Sequence, residues 1–161
     1  MKTKPDAEGS PRYQALLQLL RTADTVWNAS RVFFERWDLG PSQFNVLNLL
    51  HEHPGGLSQT ELSRQLIMHR SNITGLVDRL EKRGLVRRQD VAADRRAYRV
   101  VLSRSGAELL REILPRYYEG AEQVWNGLSA RRAAELVADL RQVAQNVERI
   151  AAKGMPAGNP A

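Results

Sequence analysis

Cysteine is absent from the 161 residues, which excludes disulfides, zinc–thiolate sites and thiol redox switches together. Long apolar runs are missing too. None approaches the roughly 18 residues that span a bilayer, and the N-terminal MKTKPDAEGSP has no apolar signal core. A soluble, cytoplasmic protein is expected, with no membrane partner. No Gly-rich phosphate loop, nucleophile elbow or paired-carboxylate motif occurs, so neither catalysis nor a cofactor is expected. Histidines number three. His51 and His53 flank Glu52, but residues two apart on a helix point to different faces, and further ligands are not evident nearby, so no metal site is expected. Internal repeats are lacking as well.

The charge present is concentrated. Of the 24 Lys and Arg, eleven lie between Arg64 and Arg104, against four of the 18 acids (Asp78, Glu81, Asp90, Asp94). The rest of the chain is close to neutral. A basic patch confined to one module is the electrostatic footprint of a polyanion partner. The length fits one domain, or one compact core with long helical extensions, and the apolar content of 42% is enough for a real core. Residues 1–10 and 151–161, rich in Gly, Pro and Ala, are expected to fray.

From Pro11 to about Trp37, apolar residues recur at three- and four-residue steps, which predicts a long first helix. Its aromatics (Trp27, Phe33, Phe34, Trp37) suit a core or dimer interface, or in part the wall of a ligand cavity. Gly40-Pro41 restarts the chain, and a second helix is expected to about His51. In Leu57-Ser58-x-x-Glu61-Leu62, Ser58 and Glu61 can form a capping box and the two leucines a hydrophobic staple, so a third helix begins at Gln59. A short turn at Ile67-Met68-His69 leads to a fourth, Arg70 to Lys82, whose inner face is Ile73, Leu76, Val77 and Leu80. Gly84 fits a left-handed cap, with Leu85 folding back onto Leu80.

Past that cap the period falls from 3.6 to 2. Leu85–Gln89 and Ala97–Leu102 read as short strands, with Asp90 to Arg96 as the loop tip between them. Ser103 and Ser129 cap two further helices. Pro115 kinks the first, and Leu136, Val137, Leu140, Val143, Val147 and Ile150 run along the second. That seam is too long for the small domain to cover, so a second subunit is the expected cover. The fold class is mainly α with a small β-hairpin wing.

Two helices joined by a tight turn let the second enter a major groove. Its outward positions, Arg70, Ser71, Asn72, Thr74, Gly75, Asp78 and Arg79, are polar and mostly short. Asn can pair with adenine and Arg with guanine through two hydrogen bonds, while Ser and Thr adapt to several bases. Gly75 costs roughly 1 kcal/mol relative to Ala in a helix interior; it either lets the backbone approach DNA or relieves crowding within the protein. Arg95 and Arg96 suit the minor groove, about 6 Å wide, whose negative potential attracts inserted Arg. Asp94 beside them would orient a guanidinium rather than touch DNA. The Ser58 helix end offers amides to a phosphate. Double-stranded DNA is the expected partner.

The segments QTELSRQL, RSNITGLVDRLEKRGLVRR and DRRAYRVVLSRSGAELL resemble the MarR family of winged helix-turn-helix transcription regulators. The likeness is dense from Gly40 to Leu110 and extends over about Pro11 to Ile150. It matches the family's acidic–x–Arg wing signature at Asp94 and Arg96 and its Leu-Ser/Thr-x-x-Gly step at Leu102, Ser103 and Gly106. The resemblance implies a winged helix-turn-helix lobe over 40–102 and dimerisation helices over 11–38 and 104–150. It also implies a homodimer on a palindromic site, commonly a repressor released by a small, often aromatic, ligand.

Two departures stand out. Where the family usually has Gly and then a Ser, Thr or Asp cap, this chain has Ile67 and His69. His is a weaker cap, which leaves His69 to face DNA or solvent. The sensing cysteine of some relatives is absent. The candidate walls of an effector pocket are Trp27, Arg31, Phe34 and His51. The alternatives are a constitutive architectural or accessory DNA-binding protein with no ligand response, and a protein-interaction module that borrows the fold; the polar outer sets disfavour the latter.

Overall fold

Proline opens the first two helices. Pro11 begins α1 (Pro11–Glu35) and Pro41 begins α2 (Pro41–Glu52), positions where a missing N–H costs nothing and a preset φ helps. The computed structural model describes residues 9–66, 70–91 and 94–153, with backbone alone at 70, 71, 91 and 94–97. The remaining elements are α3 (Gln59–Gln65), α4 (Arg70–Lys82), β1 (Val86–Val91), β2 (Asp94–Leu102), α5 (Arg104–Val124) and α6 (Ala130–Lys153). The expected turn at Ile67-Met68-His69 lies outside the described residues.

Helix α1 stops two residues short of the periodicity's end. The Trp37 and Asp38 amides fall back onto the Phe34 and Glu35 carbonyls at 3.1 and 2.9 Å, and Asp38 takes a left-handed φ of 52°. The turn keeps Trp37 buried, so its hydrophobic period outlasts the helix. The other boundaries are set by local chemistry. Ser58 Oγ accepts from the Glu61 amide at 3.2 Å, and the Ser58 amide donates to Glu61 Oε2 at 2.7 Å. That reciprocal pair satisfies two donors at the start of α3. At the end of α4, Gly84 has φ 68°. Its amide donates to Glu81 O at 2.8 Å and that of Leu85 to Leu80 O at 3.0 Å, the two bonds of a Schellman closure.

The two strands form an antiparallel hairpin in register from Val86↔Leu102 to Asp90↔Tyr98; a shift then pairs Val91 with Asp94. The strands thus outrun the expected boundaries. The backbone of Arg95 and Arg96 belongs to strand β2, not to a loop tip, and lies in the bulge between the Asp90↔Tyr98 and Val91↔Asp94 pairs. Leu57 adds a bridge to Val100, with reciprocal backbone bonds of 3.0 and 2.8 Å. Ser103 Oγ accepts from the Gly106 amide at 2.9 Å and donates to Gly84 O at 2.6 Å, stitching the start of α5 to the end of α4.

The chain divides into two units, Met1–Glu112 and Ile113–Ala161. In the first, Phe34, Phe44, Leu47, Leu50, Leu62, Ile73, Val77, Leu80, Val86, Val100 and Leu110 form a fully buried core. Phe34 and Phe44 stack at 4.3 Å between ring centroids. In the second, α5 continues past Pro115 and no residue of α6 is buried. Leu136, Val137, Leu140, Val143, Val147 and Ile150 all stand exposed on the single chain. No helix among the described residues is long and apolar enough to cross a membrane.

Candidate nucleic-acid interface

Helix α4 is held by one apolar face. Ile73, Val77 and Leu80 are wholly buried and Leu76 nearly so, which turns the alternate positions outward by helical geometry. Asn72 and Arg79 are exposed, and Thr74, Gly75 and Asp78 are partly so. Thr74 Oγ1 donates to Gln59 Oε1 at 3.3 Å, tying α4 to α3. Gln59 is 8% exposed, and its Nε2 is buried without a hydrogen-bond partner among the described residues. Among the described residues, nothing requires glycine at position 75. A Cβ built there would meet only Arg79 Nη1, at 3.5 Å, ordinary van der Waals contact with a flexible side chain. Crowding by the described residues therefore does not explain Gly75.

The two acids of α4 turn on one arginine. Arg88 of β1 donates through Nη2 to Asp78 and through Nη1 to Glu81. Its backbone amide donates to Glu81 Oε1 at 2.8 Å, and its guanidinium lies 5.2 Å from the Tyr98 ring centroid. Burial of the guanidinium opposes its charge. The bonds to Asp78 and Tyr98 and the Glu81 charge outweigh that and hold the group more firmly protonated than a free arginine. Meanwhile Arg64, Arg79, Lys82 and Arg87 are exposed. The acids in the basic segment are thus partly neutralised from within, while several cations face solvent.

Arg99 and Arg83 serve as internal braces. Arg99 Nε donates to the Gly55 and Gly56 carbonyls at 3.1 Å each, and Nη2 to Gly56 O at 2.7 Å. It also pairs with Glu61 at 3.5 Å. Arg83 donates to the carbonyls of Asp38 and, at 3.0 Å, Trp37. In the sequence these two and Arg88 are undivided members of one basic cluster, because their acceptors are set by tertiary packing. Ser58 is committed to its capping box. Glu61 sits at the same helix start, its carboxyl held below the usual carboxylate range by the Ser58 amide first and the Ser58 hydroxyl next, with Arg99 and Arg64 adding. A carboxylate there competes with any phosphate.

His69 lies outside the described residues, and Arg70, Ser71, Arg95 and Arg96 are described by backbone alone. That backbone starts α4 for the first pair and β2 for the second.

A cavity of about 560 Å³ opens between α1 and α2, lined by Asn28, Arg31, Val32, Glu35, Asp38, Leu39, Gly40, Pro41 and Gln43. Of the four expected pocket residues it takes in Arg31 alone. Trp27 and His51 are exposed elsewhere, and Phe34 is core. They diverge because Phe34 points into the packing side of α1 while Arg31 borders the turn to α2. His53 Nδ1 bonds Leu49 O at 2.8 Å, and no group of three or more potential metal ligands gathers among the described residues.

A family model described as the MarR family matches residues 37–97. Transcriptional repressor MprA of Escherichia coli (strain K12) is 30% identical over 110 residues, 68% of this chain and 62% of that protein. The match spans less than two thirds of that relative's own length. The solved structure of Sco3205, a MarR family transcriptional regulator from Streptomyces coelicolor in complex with DNA, superposes with a TM-score of 0.78. It is 27% identical, over 86% of this chain and 92% of that one. AbsC, a MarR family transcriptional regulator from the same organism, is alike in fold, with a TM-score of 0.79 at 20% identity over 86% of this chain and 96% of that one. By sequence across its central segment and by fold across most of its length, the chain belongs to the MarR family.

Proposed function

We propose that this protein is a sequence-specific DNA-binding transcriptional regulator, a homodimeric repressor released from a palindromic operator by a small ligand. The observation that carries the DNA reading is the outward face of α4. It presents Asn72, Thr74, Gly75 and Arg79 beside exposed Arg64, Lys82 and Arg87, while the neighbouring acids Asp78 and Glu81 are drawn onto Arg88. Side chains of those types read base edges, and the surrounding cations neutralise phosphates. A DNA complex of the similar Sco3205 and the repressor role of MprA support the same reading.

Two further features support the finer parts. Exposed apolar side chains recur along α6, and Leu16, Leu20, Trp27 and Val32 stand exposed on α1; apolar surface of that extent calls for a partner, and a second copy supplies it by symmetry. The cavity between α1 and α2 supplies space for an effector, with Arg31 to pair with an acid group.

The test is a binding titration against DNA upstream of the protein's own gene, at several salt concentrations, beside an unrelated duplex. Tight binding to the upstream duplex alone, with a steep salt slope that shallows in Arg95→Ala/Arg96→Ala, is expected. Equal affinity for both duplexes would instead indicate an architectural DNA-binding protein. Sedimentation of wild type and Leu140→Glu reads the dimer; a wild-type monomer would overturn it. Thermal shifts with aromatic acids that vanish in Arg31→Ala are expected of the effector site.

A further inference from the structure

We propose that Arg88 is a positioning residue, which clamps the hairpin to helix α4 and does not touch DNA although it lies within the basic cluster. The proposal rests on the DNA-binding reading of α4 and the hairpin.

Cross-strand partners share a face of a ladder. Val86, Arg88 and Val100 therefore point the same way, and the two valines are buried. Arg87, one residue away, faces solvent. Arg88 thus occupies a packing position, not an outward one. Both ends of its guanidinium are engaged, one by Asp78 and the other by Glu81 one helical turn later. Glu81 also accepts the Arg88 backbone amide, so a single carboxylate holds both the side chain and the main chain of β1. Tyr98, on the return strand β2, closes over the guanidinium. Both strands of the hairpin and the last two turns of α4 meet at this one group.

Electrostatics alone gives these acids no place beside DNA, since each opposes phosphate. Their presence is explained if what they contribute is the fixed angle of the hairpin. The clamp sets where the far end of the hairpin sits when α4 occupies its groove, and a planar fork suits that task better than a point charge.

The two accounts differ in sign. If only charge matters, Glu81→Ala removes a negative charge and tightens DNA binding. If the clamp matters, it weakens binding. Affinity of the full chain for the upstream duplex would be measured by fluorescence anisotropy for wild type, Glu81→Ala, Asp78→Asn and Arg88→Lys. Each would be made with and without Arg95→Ala/Arg96→Ala, with thermal unfolding as a control on folding. A loss of about tenfold is expected from Glu81→Ala and from Arg88→Lys, which keeps the charge but not the fork. The loss should fall below about twofold once both wing arginines are gone, because a misplaced hairpin then has nothing to deliver. Tighter binding by Glu81→Ala, or an equal loss in both backgrounds, overturns the clamp.

Amide hydrogen exchange gives a reading independent of DNA. Glu81→Ala should speed exchange at the Arg88 amide, whose acceptor it removes, and leave the Leu80 amide unchanged; no change at Arg88 also overturns the clamp. Failure of the wild type to prefer the upstream duplex counts against the regulator reading instead.

Discussion

Gly75→Ala should make the free protein more stable and its DNA complex weaker. Glycine within a helix costs about 0.8–1.0 kcal/mol relative to alanine, and Gly75 lies in the interior of α4. Among the described residues the new methyl group would meet only Arg79 Nη1, at 3.5 Å, so none of them offers a repulsion to offset the gain. A stabilisation of about 1 kcal/mol follows, worth roughly 2–4 °C in Tm for a chain of this size. On the DNA side the same methyl projects from the outward face, which in the proposed reading is where the helix backbone approaches the groove. A loss of about 1.4 kcal/mol there is a tenfold weaker complex. Thermal unfolding by circular dichroism reads the first effect, and anisotropy titration with the upstream duplex reads the second. Unrelated DNA, held through phosphates alone, should bind as before. Unchanged affinity for the upstream duplex would refute close approach as the reason for this glycine. A fall in Tm would refute the claim that the fold has room for a side chain there.

Three other substitutions probe the scaffold. A Cβ at Gly106 would lie 2.1 Å from Leu85 O and 2.8 Å from Leu102 Cδ1, so Gly106→Ala should cost about 1–3 kcal/mol or more by overpacking; urea unfolding with an unchanged midpoint would contradict this. Phe34→Ala removes a ring 2% exposed and should cost about 3–5 kcal/mol, read in the same way. Glu61 concerns pH. Its folded pKa lies below the ordinary 4.5, so the stability it lends is fully present above that value and is lost as pH falls through the lower folded pKa. Glu61→Gln should therefore narrow its stability gap from wild type as pH drops below about 4.5, and a gap that widens on acidification would reverse the sign. With the Glu61 side chain 42% exposed, the effect is small.

Local chemistry was readable from the chain alone. The Ser58–Glu61 box and the Gly84–Leu85 closure each bond residues at most five apart, so adjacent side chains and backbone carry the information for the start of α3 and the end of α4. The spacing of Ile73, Leu76, Val77 and Leu80 likewise announced the buried face of α4 and, by elimination, its outward one. Periodicity reads burial more directly than boundaries. Trp37 kept the rhythm of α1 beyond its last turn, and the hairpin strands ran past their alternating pattern because pairing needs backbone partners, not apolar side chains.

Tertiary structure decided what long-range geometry controls. Arg83, Arg88 and Arg99 are indistinguishable as letters from Arg79 and Arg87. Packing alone brings Asp78 and Glu81 to Arg88, the Gly55–Gly56 carbonyls to Arg99 and the end of α1 to Arg83. The cavity depends in the same way on the angle at which α1 meets α2, which is why Arg31 lines it while Phe34, three residues on, is core. The sequence alone established the family resemblance, the order of elements and the concentration of charge, all of which depend on residue identity and short spacing. Which cations brace the fold and which face outward was settled by where folding brought their partners, often 40 or more residues away along the chain.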